Sequence, residues 1–352
     1  MKYSIALASE VDSWRWVKRA EELGFHAAWF YDTQLLNPDV FICMALAARE
    51  TSRIRLGTGV LVPSNRIEPV TANALVSLNK LAPGRIDFGV GTGFTARRTM
   101  GLKAIPLART RRYIERVCAL ARGELIEWDF EGEQRKIQFL NPDLGLINVT
   151  DDIPLWFSAF GPKSRALTAE LGAGWLNFGS MNGAVEALAE MRRSWQEAGR
   201  EAETLQSALF FLGAVLTGDR AADEERLLRQ AGPGAAVTMH NLSDEGGAMG
   251  GMQAQGPLAE MHRAYLETHA QYEPADAKYL RNHRGHLMFV REEEAHLYTP
   301  EFIKAMSMSG THDELVTHMR TLAQAGYDQV VIQLVHGQEE AIDEWAEVFR
   351  AI

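Results

Sequence analysis

Two glycine-rich stretches of this sequence have residue types and a spacing that could support chemistry. An apolar run at 54–56 leads into Gly-Thr-Gly-Val at 57–60, and a second run at 85–88 leads into Gly-Val-Gly-Thr-Gly at 89–93. Glycine weakens a strand, because it has no side chain to pack and loses more backbone entropy on folding than other residues. We therefore predict that a flat or anionic ligand approaches the backbone at these two strand ends.

Two later turns carry residue types that bind phosphate. Residues 158–164 lead from a predicted strand straight into a predicted helix, and residues 178–180 form the next such turn. Backbone N–H groups at a helix start attract anions, and Lys163 and Arg165 add positive charge. We predict that the turns hold a phosphate between them, although Gly161 is also compatible with a simple tight connection. The predicted binding residues are Ala159, Phe160, Gly161, Lys163, Phe178, Gly179 and Ser180.

Asp32 and His336 are the candidate catalytic side chains. Asp32 follows the second predicted strand, and His336 follows the last one. An imidazole, with an unperturbed pKa of about 6.5, suits proton transfer near neutral pH. An exposed loop histidine without a role is the alternative interpretation of His336. Arg97 and Arg98, after the fourth strand, could contact an anionic group or form a solvated surface pair.

Strand-like and helix-like patterns alternate along the chain, and this alternation would position those residues. Each apolar run typical of a buried strand is followed by a segment with apolar residues at helical spacing. Eight such units predict an α/β fold of the (β/α)8 TIM-barrel class, because crossover connections place helices outside a closed parallel sheet. The predicted strand and helix pairs are 3–8 and 12–24, 27–31 and 39–50, 54–62 and 69–81, 85–90 and 107–121, 154–159 and 163–171, 174–178 and 184–197, 208–216 and 221–230, and 329–335 and 339–350.

In such barrels the active site lies at the carboxyl ends of the strands, where the candidate residues fall. We predict one domain over residues 1–352, with a hairpin insertion at 124–152 and a lid insertion at 231–300 after the seventh strand. The lid segment is the longest irregular region and carries six of the ten histidines. None of these histidines shows the spacing of metal ligands on a helix, so no metal site is predicted.

Composition excludes several classes of protein. The formal net charge is −10 and no basic stripe is visible, so we expect small-molecule partners rather than nucleic acid or a membrane. Cys43 and Cys118 are the only cysteines, which predicts no disulfide framework and fits a reducing cytoplasm. No signal peptide and no apolar run long enough to span a bilayer is visible, so a soluble cytoplasmic protein is expected.

Four motifs occur in order along the chain. They are Ala-Glu-Glu-Leu-Gly-Phe at 20–25 before Trp-Phe-Tyr-Asp at 29–32, Ile-Arg-Leu-Gly-Thr-Gly-Val at 54–60, Leu-Ala-Pro-Gly-Arg at 81–85 before the glycines at 89–93, and Ala-Glu-Leu-Gly-Ala-Gly-Trp at 169–175. In this order they resemble the bacterial luciferase-like flavin oxidoreductases. Within that family the chain is most similar to the branch of methylenetetrahydromethanopterin reductase and related enzymes that use the deazaflavin coenzyme F-420.

The resemblance implies where a flavin-type cofactor, F-420 or FMN, would lie. It implies a non-proline cis peptide between Gly59 and Val60 behind the ring, and it places Asp32 beside the polar edge of the ring. The turns of Gly161 and Gly179 would surround the phosphate. The remaining implied cofactor contacts are Thr58, Gly91, Thr92, Gly93 and Phe94.

The chain departs from the F-420 branch at two positions. Members of that branch often carry Asp-His after the second strand and an acidic residue after the glycines of the fourth strand. Here Thr33 and Phe94 occupy those places. The proton donor of those relatives is therefore missing, and proton delivery must come from elsewhere.

The resemblance also implies a homodimer through the helices after strands two and three. Cys43, Met44 and Leu75 are the predicted apolar contributors, with the alternative that they face the barrel.

The leading functional hypothesis is an oxidoreductase that transfers hydride between a reduced flavin-type cofactor and a small organic substrate, with the lid excluding water. An FMN-dependent monooxygenase served by a separate flavin reductase is the nearest alternative. A metal-dependent hydrolase using Asp32 and the lid histidines would need ligands at strand ends that carry glycine instead. A non-catalytic flavin-binding subunit is compatible with Phe94 in place of an acid.

Overall fold

The computed structural model describes residues 1–244 and 255–352, and eight of its strands close into a parallel barrel. The strands are β1 (Lys2–Leu7), β2 (Ala27–Phe30), β3 (Arg55–Thr58), β4 (Ile86–Val90), β5 (Ile126–Phe130), β6 (Glu133–Ile137), β7 (Leu155–Ser158), β8 (Gly174–Phe178), β9 (Ser207–Phe211), β10 (Val215–Leu216), β11 (Gly310–Thr311) and β12 (Gln329–Leu334). The barrel runs β1-β2-β3-β4-β7-β8-β9-β12 and closes by parallel pairing of β12 with β1. The predicted (β/α)8 TIM barrel is confirmed.

Helices surround this barrel and also form most of the segment between β10 and β11. They are α1 (Trp14–Leu23), α2 (Val40–Glu50), α3 (Glu68–Leu81), α4 (Phe94–Arg98), α5 (Leu107–Ala121), α6 (Pro162–Leu171), α7 (Ala184–Glu197), α8 (Arg220–Gln230), α9 (Gly232–Ser243), α10 (Pro257–Ala270), α11 (Tyr279–Asn282), α12 (Glu292–Ala295), α13 (Pro300–Met306), α14 (His312–Ala325) and α15 (Ala341–Arg350), with 3-10 turns at Pro142–Leu144 and Ala202–Thr204. No helix within the described ranges is both long and apolar enough to cross a lipid bilayer.

Both faces of the barrel strands are covered, which explains their continuous apolar sequence. In β2, Ala28 and Phe30 pack in the layer between strands and helices, whereas Ala27 and Trp29 point into the barrel. Inside, the Trp29 ring meets Trp156 and Phe210 in edge contacts with centroid distances of 5.6 Å each. The barrel interior is therefore a packed aromatic core.

This core explains glycines that the sequence pattern assigned to a ligand. A Cβ added at Gly57 would lie 2.5 Å from Cε3 of Trp29, and one at Gly59 would lie 2.9 Å from Cβ of Trp29. At Gly89 the added atom would overlap the carbonyl oxygen of Thr58. Packing within the protein is thus sufficient to require glycine at these positions, so these glycines do not by themselves indicate an approaching ligand.

The seventh βα unit differs from the predicted one. The predicted strand at 208–216 ends at Phe211, because Val215 and Leu216 pair with β11 instead of continuing in the barrel. The predicted helix α8 packs Leu227 into a separate apolar cluster of the insertion. Helix α14, which was not predicted, packs against the barrel strands in its place through Leu315, Val316, Met319 and Leu322.

The two insertions have contrasting structures. The segment at 124–152 contains the antiparallel hairpin β5–β6, with Ile126 opposite Ile137. The segment at 231–300 was expected to be irregular, but its described part contains helices α9 to α12. Residues 245–254 of that segment lie outside the described residues. Its helices bury an apolar cluster of their own, which includes Met239 and Tyr265, so the segment is a helical layer rather than a long loop.

Helices α2 and α3 present a different surface from the predicted one. Cys43, Met44 and Leu75 are fully buried and belong to the barrel core, so the alternative that they face the barrel is confirmed. The exposed large apolar side chains on these two helices and their starts are Ile42, Leu46, Ile67, Val70 and Leu81.

A buried ion-pair network stabilises the helical insertion. Glu294 is fully buried and accepts hydrogen bonds from Nη2 of Arg291 at 2.8 Å and from the hydroxyl of Tyr298 at 3.0 Å. Its Oε2 also lies 2.9 Å from Nε2 of His240. Burial opposes the charged form, but the contacts with His240 and Arg291 outweigh it and lower the pKa of Glu294 to about 2.

Replacing Glu294 with glutamine should destabilise the protein, because Arg291 would lose its buried counter-charge. Removing one partner of a buried pair costs about 3 kcal/mol or more, which a lower urea midpoint at neutral pH would report. In the wild-type protein this stabilisation should be present above pH about 4.5 and be lost as the pH falls toward about 2. Glu294→Gln should lack that pH dependence.

Glu292→Gln is the matched control, because Glu292 lies on the same helix, is exposed and has no ion-pair or hydrogen-bond partner among the described residues. It should shift the midpoint by much less. Equal shifts in both variants would contradict the buried-pair interpretation.

Candidate functional site

The mouth of the barrel, at the carboxyl ends of the strands, brings together most of the predicted site residues. The peptide bond between Gly59 and Val60, just after β3, is cis, as the resemblance implied. Val60 and Phe178 border the interior aromatic group, and Leu287 and Met288 of the insertion pack against the same group. The mouth therefore has an apolar floor and an apolar cover from the insertion.

Asp32 is buried beside this mouth, and its carboxylate already has a full set of partners. Nη1 of Arg66 donates to both carboxylate oxygens at 3.0 Å. Oδ2 also accepts from the backbone N–H of Val62 and from Nδ2 of Asn65, each at 3.2 Å. Burial raises the pKa of Asp32, while the Arg66 guanidinium acts in the opposite direction. These contacts support a role for Asp32 in ordering the loop after β3.

The residues after β4 form a tight corner. Gly91 is close to Val60, since an added Cβ would lie 2.6 Å from Cγ2 of Val60. Gly93 is the N-cap of α4 and has a φ of 80°. A residue with a side chain rarely adopts this backbone conformation. Phe94 is the first residue of that helix. The Arg98 guanidinium lies 3.6 Å from the centroid of the Phe94 ring. The backbone carbonyl of Thr92 accepts a hydrogen bond from Ile105 at 2.9 Å.

Two of the predicted binding residues have buried side chains with internal partners. The Thr58 hydroxyl donates to the carbonyl oxygen of Gly89 at 2.7 Å. Ala159 packs in the core between strands and helices, and its carbonyl accepts from the Trp175 indole at 2.8 Å. Only their backbones remain for ligand contact.

The two predicted phosphate turns are open, in contrast to the glycines of β3 and β4. A Cβ added at Gly161 or Gly179 would meet no atom within 4 Å. Among the described residues, the Lys163 ammonium and the Ser180 hydroxyl have no hydrogen-bond or ion-pair partner. Gly161 is also the N-cap of α6, whose first turn presents the backbone N–H of Lys163. This donor set fits a phosphate group.

Phe160 and Arg165 complete the surroundings of these turns. The Phe160 side chain is exposed, and its ring lies 5.9 Å from that of Phe178. Arg165 donates to the Phe160 carbonyl at 2.6 Å and pairs with Glu190 at 2.5 Å. Arg165 therefore stabilises the turn, and Lys163 is the nearby cation that remains available to a ligand.

His336 lies on the rim of the mouth, where β12 and β1 are neighbours. Its Nδ1 is 2.5 Å from Oε1 of Glu10, which follows β1, and 3.8 Å from Oε1 of Glu339. The imidazole is about half exposed, so it can exchange protons with solvent while Glu10 orients it. This trio is the only group of potential metal ligands gathered within 4.8 Å in the described part of the chain, and it includes neither Asp32 nor a histidine of the insertion.

Sequence reasoning did not select His286 and Thr95, which meet at the corner where the expected acid is missing. Thr95 Oγ1 lies 2.9 Å from Nε2 of His286. Burial and the nearby charges of His283, His240 and Arg98 hold the pKa of His286 well below its usual value. A neutral His286 can position a ligand by hydrogen bonding but is a weak acid. Arg66 and Glu10 were also missed, because their partners are visible only after folding.

An aromatic floor beside two open turns is an arrangement that fits a flat, phosphate-bearing ligand at the mouth of a barrel enzyme. The profile of the luciferase-like monooxygenase family matches residues 12–329, and the chain belongs to that family. It is therefore an oxidoreductase of the luciferase-like type, as its motifs predicted.

Individual relatives agree with this assignment. A 5,10-methylenetetrahydromethanopterin reductase from Archaeoglobus fulgidus is 26% identical over 345 residues, which cover 94% of this chain and 92% of the relative. The coenzyme F-420-dependent tetrahydromethanopterin reductase structure from Methanopyrus kandleri superposes with a TM-score of 0.68 and 21% identity, covering 98% of this chain and 97% of that one. An F-420-dependent secondary alcohol dehydrogenase, solved with an F-420-acetone adduct, gives a TM-score of 0.69 at 17% identity and covers 100% and 99% of the two chains. At these identities the structures show a shared fold.

Alanine substitutions should separate the glycines that the core requires from those that face a ligand. Gly57→Ala should destabilise the protein by about 1–3 kcal/mol, because its Cβ would overlap the Trp29 ring. Gly179→Ala should leave the unfolding midpoint unchanged and weaken cofactor binding, since its Cβ would enter the open turn. Urea unfolding and a fluorescence titration measure the two effects. A Gly179→Ala protein that binds cofactor like wild type would exclude this turn from the site.

Proposed function

We propose that this protein is an F-420-dependent oxidoreductase acting on a small organic substrate. The observation that supports the proposal best is the pair of open turns at Gly161 and Gly179, with Lys163 and Ser180 uncommitted, next to an apolar mouth. When bound, a reduced deazaflavin supplies a hydride. The protein needs no redox side chain for this chemistry.

The residues of the chain would bind, orient and exclude water. Lys163 and Ser180 would hold the phosphate, and Val60 and Phe178 would form the apolar surface for the ring. Leu287 and Met288 would limit access of water from above, which strengthens the electrostatic interactions inside the site.

His336 is the side chain that we propose for proton transfer. Thr33 and Phe94 offer no acid where relatives often have one, and His286 is held neutral by its surroundings. His336 is partly exposed at the rim, and its Nδ1 lies 2.5 Å from Oε1 of Glu10. Glu10 would fix the imidazole so that Nε2 faces the mouth.

FMN-dependent monooxygenation is the second candidate, and the family's designation as luciferase-like monooxygenases favours it. In that case a separate flavin reductase would supply reduced FMN. Phe94 in place of an acid is compatible with this chemistry and also with a non-catalytic flavin-binding subunit.

We also propose a homodimer through α2 and α3. The exposed side chains Ile42, Leu46, Ile67 and Val70 form an apolar surface there that a second copy would cover.

Titration of the purified protein with F-420 and with FMN, followed by fluorescence, tests the cofactor assignment. We expect saturable binding of F-420 at least about tenfold tighter than FMN. The reduced deazaflavin complex should then be oxidised by small carbonyl compounds, with acetone as the first probe. Tighter binding of FMN would favour the monooxygenase, and binding without turnover over a broad substrate panel would favour the non-catalytic subunit.

His336→Gln should lower kcat by about 10²-fold or more, with little change in cofactor affinity, because a general acid acts only in the chemical step. Glu10→Gln should lower kcat by a smaller factor, because the imidazole would remain but lose the carboxylate beside it. His312→Gln, at an exposed surface position, is the control. An unchanged kcat in His336→Gln would move proton transfer to another group.

A further inference from the structure

A cleft of about 520 Å³ lies outside the barrel mouth, between the loop after β3, helix α5 and the hairpin β5–β6. Four arginines line it: Arg66, Arg109, Arg112 and Arg116. Only two acidic residues, Glu68 and Asp129, share the lining. In a chain with a net charge of −10, this concentration of positive charge runs against the average composition.

Two of the four arginines build the walls of the cleft. Arg66 is bound to Asp32 at 3.0 Å and to Asp39 at 2.5 Å. Arg116 pairs with Asp129 on the hairpin and with Glu68 at 3.4 Å. Their charges are therefore compensated within the protein.

The hairpin wall is held in place by the same acids. The Trp128 indole N–H donates to Oε2 of Glu68 at 3.0 Å, and the Trp128 ring stacks on Phe130 at 4.7 Å. The hairpin thus has a defined position against α3 and α5.

Arg109 and Arg112 are the other two arginines, and both are exposed at the cleft. In the ranges 1–244 and 255–352 neither of them has an ion-pair or hydrogen-bond partner. They are three residues apart on α5, with Arg116 one further turn along, so all three lie on one face of the helix. Like charges at this spacing destabilise a helix, and a bound anion would relieve the repulsion.

The remaining lining indicates an organic ligand rather than a bare inorganic ion. Tyr113 and Phe130 contribute aromatic surface, and the volume is that of a small-molecule site. Arginine forks match carboxylate and phosphate oxygens in bidentate geometry.

We propose that this cleft binds a small organic anion with at least two negative charges, carried by phosphate or carboxylate groups, through Arg109 and Arg112. The site is separate from the cofactor turns and does not depend on the function proposed above. It adjoins the mouth at Asn65 and Arg66, which line the cleft and bind Asp32.

Calorimetric titration of the protein without cofactor, with pyrophosphate and with citrate as probes, tests the proposal. The wild-type protein should bind at least one probe with a dissociation constant of about 1 mM or tighter, and binding should weaken as salt increases. Arg109→Gln/Arg112→Gln should weaken this binding by about tenfold or more, because two charge-assisted contacts are lost. Preference for pyrophosphate identifies a phosphate ligand, and preference for citrate a polycarboxylate.

Arg111→Gln is the matched control, since it removes one charge from the same helix but on the face that pairs with Glu115 and Glu170. It should change affinity by no more than about twofold. Failure of wild type to bind either probe at about 10 mM would overturn the proposal, as would an equal loss in the Arg111→Gln control.

Discussion

Filling the interior of the barrel is the constraint on which the rest of the structure depends. Trp29 lies across β3 and meets the edges of Trp156 and Phe210, which leaves no room for side chains at Gly57. Interiors are packed to the density of organic crystals, so large rings on one strand require small residues on its neighbours. Stacking continues from Phe210 to Phe178 at 4.6 Å and sets the floor on which the site is built.

Asp32 connects this floor to the surface of the protein. Its buried carboxylate orders the loop after β3 through Val62, Asn65 and Arg66. A buried charge is tolerated because its partners fill its hydrogen-bonding capacity. Through Arg66 the same ion pair also forms one wall of the cationic cleft. One interaction therefore shapes both the mouth of the barrel and a second surface beside it.

The helical insertion supplies an apolar cover for the barrel mouth, which the eight strands lack. It has its own apolar cluster and its own ion-pair network, and it reaches the mouth through Leu287 and Met288. His286 of the insertion meets Thr95 of the barrel at the corner where an acid is absent. The apolar core of the insertion is largely separate from that of the barrel. Such an insertion can therefore differ between proteins without disturbing the barrel, which explains how one fold accommodates many substrates.

Much of the architecture was predictable from local patterns. The bounds of β8, α5 and α7 agree with the predicted ranges to the residue. Apolar spacing and helix-end residues can be recognised from neighbouring positions in the sequence, so these bounds need no tertiary information. Helix α14 carried a local signal as well, a capping box of Thr311 and Glu314, that the prediction overlooked. Its place on the barrel follows from contacts that sequence spacing does not reveal.

The sequence by itself determined the barrel, the family and the positions of the candidate residues at strand ends, since these follow from periodicity and from short motifs. Only the tertiary structure decided which of those residues pack inside the protein and which remain open. Gly57, within β3, proved to accommodate Trp29 from the adjacent strand, whereas Gly179, directly after β8, proved to face open space. His336 and Glu10 come from opposite ends of the chain and meet only when β12 pairs with β1. Such contacts depend on barrel closure, which no local pattern encodes.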